Sequence, residues 1–233
     1  MRDTNLNPYE PEVVPNMDNK QSKDEDDDDV VTKTGTTTVG ITAEDGCVIA
    51  TDRRASLGGR FVSNKNVVKV EQIQSRTAMT LVGSVGGAQD FISQLRAEAE
   101  LYEARRREEM PVSSIANLAS NFARRGPFAA INPIIGGLDS DGSSHVYTID
   151  PAGGCIGDDY AVTGSGMQVA HGKIEGDYHD DITVEEAKRI GATAVEAAAQ
   201  RDTASGNGLV MCTITEDDLT IDKYHDYSIV NEL

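Results

Sequence analysis

The chain has 233 residues, room for one ordinary domain with a sizeable core, and a formal net charge of −18 from 39 acidic and 21 basic residues. That balance speaks against nucleic acid or an anionic membrane surface as a direct partner, because both require positive charge. It fits a protein kept soluble by self-repulsion in high salt, where screening shortens electrostatic reach.

Residues 1–35 hold Pro8, Pro11, Pro15 and the acidic run Asp24-Glu25-Asp26-Asp27-Asp28-Asp29, and offer little to a core. Such a segment is expected to be disordered, either a tail or a removable pro-segment. At Gly35-Thr36-Thr37-Thr38 the pattern changes abruptly. Two readings stand: a tail meeting a threonine-rich first strand, or a bond that is cut to leave Thr36 as a new amino terminus.

From there Thr37 to Ile41 and Cys47 to Thr51 read as strands around the turn Glu44-Asp45-Gly46, with Asp52-Arg53-Arg54 directly after. Gly58-Gly59 breaks the chain, and Phe61-Val62, Val67 to Val70 and Thr77 to Val82 give further strand, ended by a glycine-rich stretch from Gly83 to Gly87. Ala88, Phe91, Leu95, Ala99 and Tyr102 recur at helical spacing and predict a helix closed by Arg105-Arg106-Arg107. A second helix follows Pro111, with Ile115, Leu118, Ala119 and Phe122 on one side. Strands return at Pro133 to Gly137, His145 to Ile149 and Tyr160 to Thr163. Thr183 and Glu186 form a capping box opening a third helix through Ala198. Leu209 to Ile214 and Leu219 to Lys223 close the chain as strands. Strands, two helices, strands, one helix, strands: this grouping predicts α+β with antiparallel sheets.

Cys47, Cys155 and Cys212 lack CxxC spacing, which argues against a disulfide framework or a structural zinc site. The four histidines show no metal-binding spacing, and no phosphate loop or nucleophile elbow is present, so no cofactor is expected. No apolar run reaches about 18 residues and no targeting signal precedes the acidic tail, so a cytoplasmic protein is expected.

What remains is threonine chemistry. A threonine hydroxyl is a poor nucleophile without a base, and at a chain's first residue the α-amine, with a pKa of about 7.7–8.0, is that base. A neighbouring lysine would favour the alkoxide, and would itself need a carboxylate. Asp52, Lys69, Asp202, Ser205 and Ser165 are candidates for these roles.

Together these residues resemble a known family. Gly35-Thr36-Thr37-Thr38-Val39-Gly40-Ile41, Ala50-Thr51-Asp52-Arg53-Arg54-Ala55-Ser56, Gly83-Ser84-Val85-Gly86, Gly164-Ser165-Gly166 and Arg201-Asp202-Thr203-Ala204-Ser205-Gly206 are similar to catalytic β subunits of the 20S proteasome, in an archaeal, salt-adapted form. The resemblance covers nearly all of residues 36–233. It implies a four-layer αββα sandwich of two antiparallel sheets, the N-terminal-nucleophile hydrolase fold. Residues 1–35 would be a self-removed pro-segment and 36–233 the catalytic domain. Thr36 would be the nucleophile of a threonine endopeptidase, Lys69 its charged neighbour and Asp52 the partner of that lysine. Ser165, Asp202 and Ser205 would support the amine, and the Gly83 N–H would stabilise the oxyanion. Ser56 would pair with the substrate backbone, and Ala55, Leu81 and Val85 would line an apolar specificity pocket. The implied partners are polypeptide substrates, other β subunits in seven-membered rings, α subunits and a regulatory ATPase ring. The turn at Gly58-Gly59-Arg60 is about one residue longer than the family pattern, which leaves Lys65 as a rival to Lys69. The competing readings are a two-ring bacterial protease of similar fold, a non-catalytic ring subunit, and a plain acidic binding domain.

Overall fold

The computed structural model describes residues 35–83, 85–125, 131–231 and 233. The expected acidic pro-segment therefore lies, apart from Gly35, outside the described residues.

Two five-stranded antiparallel sheets carry the fold. The first runs β10-β1-β2-β11-β12 and the second β5-β6-β7-β8-β9, with β3 and β4 forming a separate hairpin. In the first sheet are β1 (Thr37–Ala43), β2 (Gly46–Asp52), β10 (Tyr160–Gly164), β11 (Leu209–Ile214) and β12 (Leu219–Tyr224). In the second are β5 (Val70–Gln74), β6 (Thr77–Thr80), β7 (Ile134–Leu138), β8 (Ser144–Ile149) and β9 (Cys155–Asp158), while the hairpin joins β3 (Ala55–Leu57) to β4 (Phe61–Asn64).

Strand alternation explains the layers. Every residue of β2 is buried because both its faces are covered. Val48 and Ala50 point to one side, onto α3 (Met167–Asp177) and α4 (Val184–Ala199). Cys47 and Ile49 point to the other, into a layer shared with Val70, Ala78, Ile134 and Val146 of the second sheet. That sheet's far face packs Met79, Ile135 and Ile149 against α1 (Val85–Arg106) and α2 (Val112–Arg125) through Phe91, Leu95 and Ile115. The result is helix, sheet, sheet, helix: the four-layer αββα sandwich. Gly40 lets the sheets meet, since a Cβ there would lie 2.7 Å from the Ile134 side chain.

The capping box is formed: Glu186 N–H donates to Thr183 Oγ1 at 3.3 Å and Thr183 N–H to Glu186 Oε2 at 3.0 Å. Other local expectations need correction. The third helix of the sequence reading is α4, because α3 precedes it. Only Ala170 and Ile174 of α3 are buried, too sparse an apolar stripe to register as a period. Helix α1 begins at Val85, inside the glycine-rich stretch, three residues before Ala88. Lys69 lies just before β5 rather than within a strand, although its carbonyl still accepts the Leu81 N–H at 2.8 Å and so prolongs the ladder.

Candidate active site

Chain pairing gathers the site. Thr37 of β1 stands opposite Gly164 of β10, which brings the next residue, Ser165, beside Thr36. Thr38 stands opposite Thr51 of β2, which brings Asp52 to the same end. Leu209 pairs with Asp52, so the loop between α4 and β11 arrives there as well. Lys69 comes across from the second sheet. Gly164 is required for this approach: its φ is +95°, and a Cβ would lie 2.0 Å from the Thr36 carbonyl oxygen.

Thr36 is 3 % exposed. Its hydroxyl donates to the Gly35 carbonyl oxygen at 2.7 Å and accepts from Lys69 Nζ at 3.1 Å. Lys69 Nζ also lies 3.4 Å from the same carbonyl oxygen and 2.6 Å from Asp52 Oδ1. Burial pulls the lysine's pKa below its ordinary value, and the Asp52 charge opposes that pull. Asp52 has no exposed surface, but its oxygens are well satisfied. Besides Lys69, Oδ1 accepts the Thr37 N–H at 2.9 Å, and Oδ2 accepts those of Arg54 at 3.0 Å and Gly206 at 2.9 Å. This is how a buried charge is tolerated.

The nitrogen of Thr36 faces a second polar chain. Its N–H donates to Ser165 Oγ at 3.2 Å, Ser165 Oγ donates to Asp202 Oδ2 at 2.5 Å, and Ser205 Oγ donates to the same oxygen at 2.6 Å. Asp202 sits at the end of α4, its N–H bonded to the Ala198 carbonyl at 2.7 Å. The geometry thus brings Thr36, Asp52, Lys69, Ser165, Asp202 and Ser205 together. Lys65, the alternative lysine, is exposed just beyond β4.

Beside Thr36 and Lys69 opens a cavity of about 100 Å³ with walls from Ala55, Val67, Leu81, Gly83 and Ala88, and with Glu71 and Gln89 supplying polar groups. Ala55 and Leu81 both line it; the side chain of Val85 lies outside the described residues. Gly83 takes φ +100°, and is bridged to Ile131. Ser56, 1 % exposed, accepts the Gly35 N–H at 3.2 Å, so the chain's own Gly35 occupies the position expected for a substrate backbone.

Sequence reasoning missed Val67, Glu71 and Gln89, and also Arg54, which clamps the Asp202 loop through Asn207 Oδ1 at 2.9 Å and the Thr203 carbonyl at 2.8 Å. Counting two residues on from Lys69 would have put Glu71 on the same face. Among the described residues no cluster of three or more His, Cys, Asp or Glu could hold a metal ion, and no helix is long and apolar enough to cross a membrane.

The family model described as proteasome subunit matches residues 32–214. A protein of Halorhabdus utahensis named proteasome subunit beta is 63% identical over 219 residues, 94% of this chain and 91% of its own length. Its namesake from Halomicrobium mukohataei is 61% identical over 227 residues, covering 97% and 94% of the two chains. One from Natronomonas pharaonis is 58% identical over 231 residues, covering 98% and 95%.

Proposed function

The chain belongs to the proteasome subunit family, as a β-type protease subunit, and from that membership we propose that it cuts its own Gly35–Thr36 bond and then works as a threonine endopeptidase. The observation that carries this reading is the position of the Thr36 hydroxyl, 3.1 Å from a buried lysine and 2.7 Å from the carbonyl oxygen of the preceding peptide.

In the first reaction Thr36 Oγ attacks the Gly35 carbonyl carbon. The C–N bond breaks, the threonine nitrogen takes up the hydroxyl proton, and residues 1–35 remain attached as an ester. Lys69, within reach of both Oγ1 and the carbonyl oxygen, favours the negative charge that develops between them. Water then hydrolyses the ester, releasing the pro-segment as a carboxylate and leaving Thr36 with a free amine.

The second reaction repeats the attack on a bound polypeptide. The new α-amine, with a pKa of about 7.7–8.0, takes the hydroxyl proton and returns it to the leaving amine. Ser165, backed by Asp202 and Ser205, orients that amine. The Gly83 N–H receives the oxyanion, the substrate adds as a strand alongside Ser56, and water releases the acyl group from Thr36. Ala55 and Leu81 favour apolar residues before the cut. The subunit works in cytoplasmic seven-membered β rings between α rings, fed by an ATPase ring.

The test is the intact mass of the chain in assembled, active particles. A chain starting at Thr36 is expected; a full-length chain in active particles refutes the reading.

A further inference from the structure

The cavity beside Thr36 is not wholly apolar, and we infer that it also takes long side chains with a cationic head, arginine or lysine, with the Glu71 carboxylate as their receptor. This rests on the proposed role of Thr36, because only then does the cavity hold the residue before the cut.

The position of Glu71 follows from the backbone. The Leu81 N–H bonds the Lys69 carbonyl at 2.8 Å, and Glu71 pairs with Met79. Val70 between them turns away into the layer between the sheets. Lys69 and Glu71 therefore share a face about 7 Å apart, the two-residue repeat of extended chain. Both line the cavity.

Of the charged groups lining it, two are already engaged. Lys69 is held by Asp52 at 2.6 Å, and the Arg54 guanidinium by Asn207 Oδ1 at 2.9 Å and the Thr203 carbonyl at 2.8 Å. Glu71 is bonded by Arg96 of α1, from Nη2 to Oε2 at 2.8 Å, and Arg96 itself does not line the cavity. That bond takes one of the two carboxylate oxygens. The Glu71 side chain is 42 % exposed, so the pair is loosely held and readily shared.

An arginine or lysine entering the cavity lays its methylene stem along Ala55, Val67 and Leu81, and its donors reach Glu71. The Gln89 carboxamide, from α1, also lines the cavity and offers a further acceptor. An acidic side chain meets Glu71 as a like charge and is refused.

The test uses assembled particles of the full-length chain and fluorogenic tetrapeptides that differ only in their last residue, leucine or arginine. Cleavage of both is expected. Glu71→Gln, which keeps shape and removes charge, should lower the kcat/KM ratio of the arginine to the leucine peptide by about ten-fold, the size of one charge-assisted hydrogen bond. Arg96→Leu removes the competitor and should raise the same ratio. Cleavage of the leucine peptide alone, or a ratio that neither variant moves, overturns this inference and leaves the proposed nucleophile standing. Failure of wild-type particles to cleave either peptide overturns both.

Discussion

Lys69 Nζ stands 3.1 Å from Thr36 Oγ1 while Asp52 holds it at 2.6 Å, so one ammonium is shared between the hydroxyl and a fully buried carboxylate. The same nitrogen is 3.4 Å from the Gly35 carbonyl oxygen, which puts it within reach of both the oxygen that would attack and the one that would become the oxyanion in the proposed self-cleavage. Removing this lysine should therefore stop both reactions. Lys69→Ala is expected to lower peptide hydrolysis by at least about 10³-fold, and to leave the junction uncut, whereas Lys65→Ala keeps activity. Peptidase assay and intact mass check both. The structural cost should stay near or below about 3 kcal/mol, because Asp52 keeps three backbone N–H partners after its ion pair is lost. Activity retained in Lys69→Ala, with loss in Lys65→Ala, would reverse the assignment.

Ser165 touches the threonine nitrogen and not the cavity, so its effect should fall on rate rather than on binding. Ser165→Ala, introduced into a chain that already starts at Thr36, is expected to reduce kcat by about 10²-fold with little change in KM. Asp202→Asn should act in the same direction, since Asp202 receives the hydroxyls of both Ser165 and Ser205. A KM effect without a kcat effect would contradict the role given to the pair.

The parts of this site that were legible in the sequence are those whose chemistry calls for a rare residue in an odd place. A carboxylate directly after an apolar strand, Asp52, and a lysine among valines, Lys69, stand out without any structure. Helix α4 was legible because its capping box and apolar stripe agree. Helix α3 was not: its sequence contains Gly172 and Gly176, and only two buried residues anchor it. Strand β9 was missed for a related reason, since it is an edge strand with Ile156 63 % exposed and no alternating pattern. The cavity walls are harder still. Val67, just before β5, and Gln89, in α1, come from separate segments, and their meeting depends on how a sheet and a helix pack, which a local pattern does not encode.

Burial also predicts how the thiols respond to pH. Cys47 has its pKa pushed up to about 12 by desolvation, and Cys212 is raised further by the same cause. Thiolate is the reactive form, so at pH 8 neither should be alkylated in the folded chain, while half-buried Cys155 reacts first. Unfolding should expose all three, counted by mass. The sign for stability follows. Between about pH 9 and 12 the unfolded chain loses thiol protons that the folded one keeps, so these groups lower stability as pH rises through that window. Labelling of Cys47 or Cys212 ahead of Cys155 in the native protein would refute this.

The junction itself is built around a missing side chain. A Cβ on Gly35 would lie 1.7 Å from the Ala204 Cβ and 2.8 Å from its Cα, in the same loop that carries Asp202 and Ser205. Gly35→Ala must therefore push the scissile peptide away from its hydrogen bonds to Ser56 and Lys69, or push Ala204 and its loop away from the threonine nitrogen. Either shift spoils the approach of Thr36 Oγ to the carbonyl carbon, and a displacement near 1 Å costs about 10²-fold in rate. Processing of Gly35→Ala should slow by that order, read as the half-time for loss of the full-length mass. Ala204→Gly on the same chain removes the nearer of the two clashes and should restore part of the rate. Residue 35 is absent once the chain starts at Thr36, so peptidase activity per processed subunit should equal that of wild type. Normal processing in Gly35→Ala would show that the junction does not cleave from the geometry seen here.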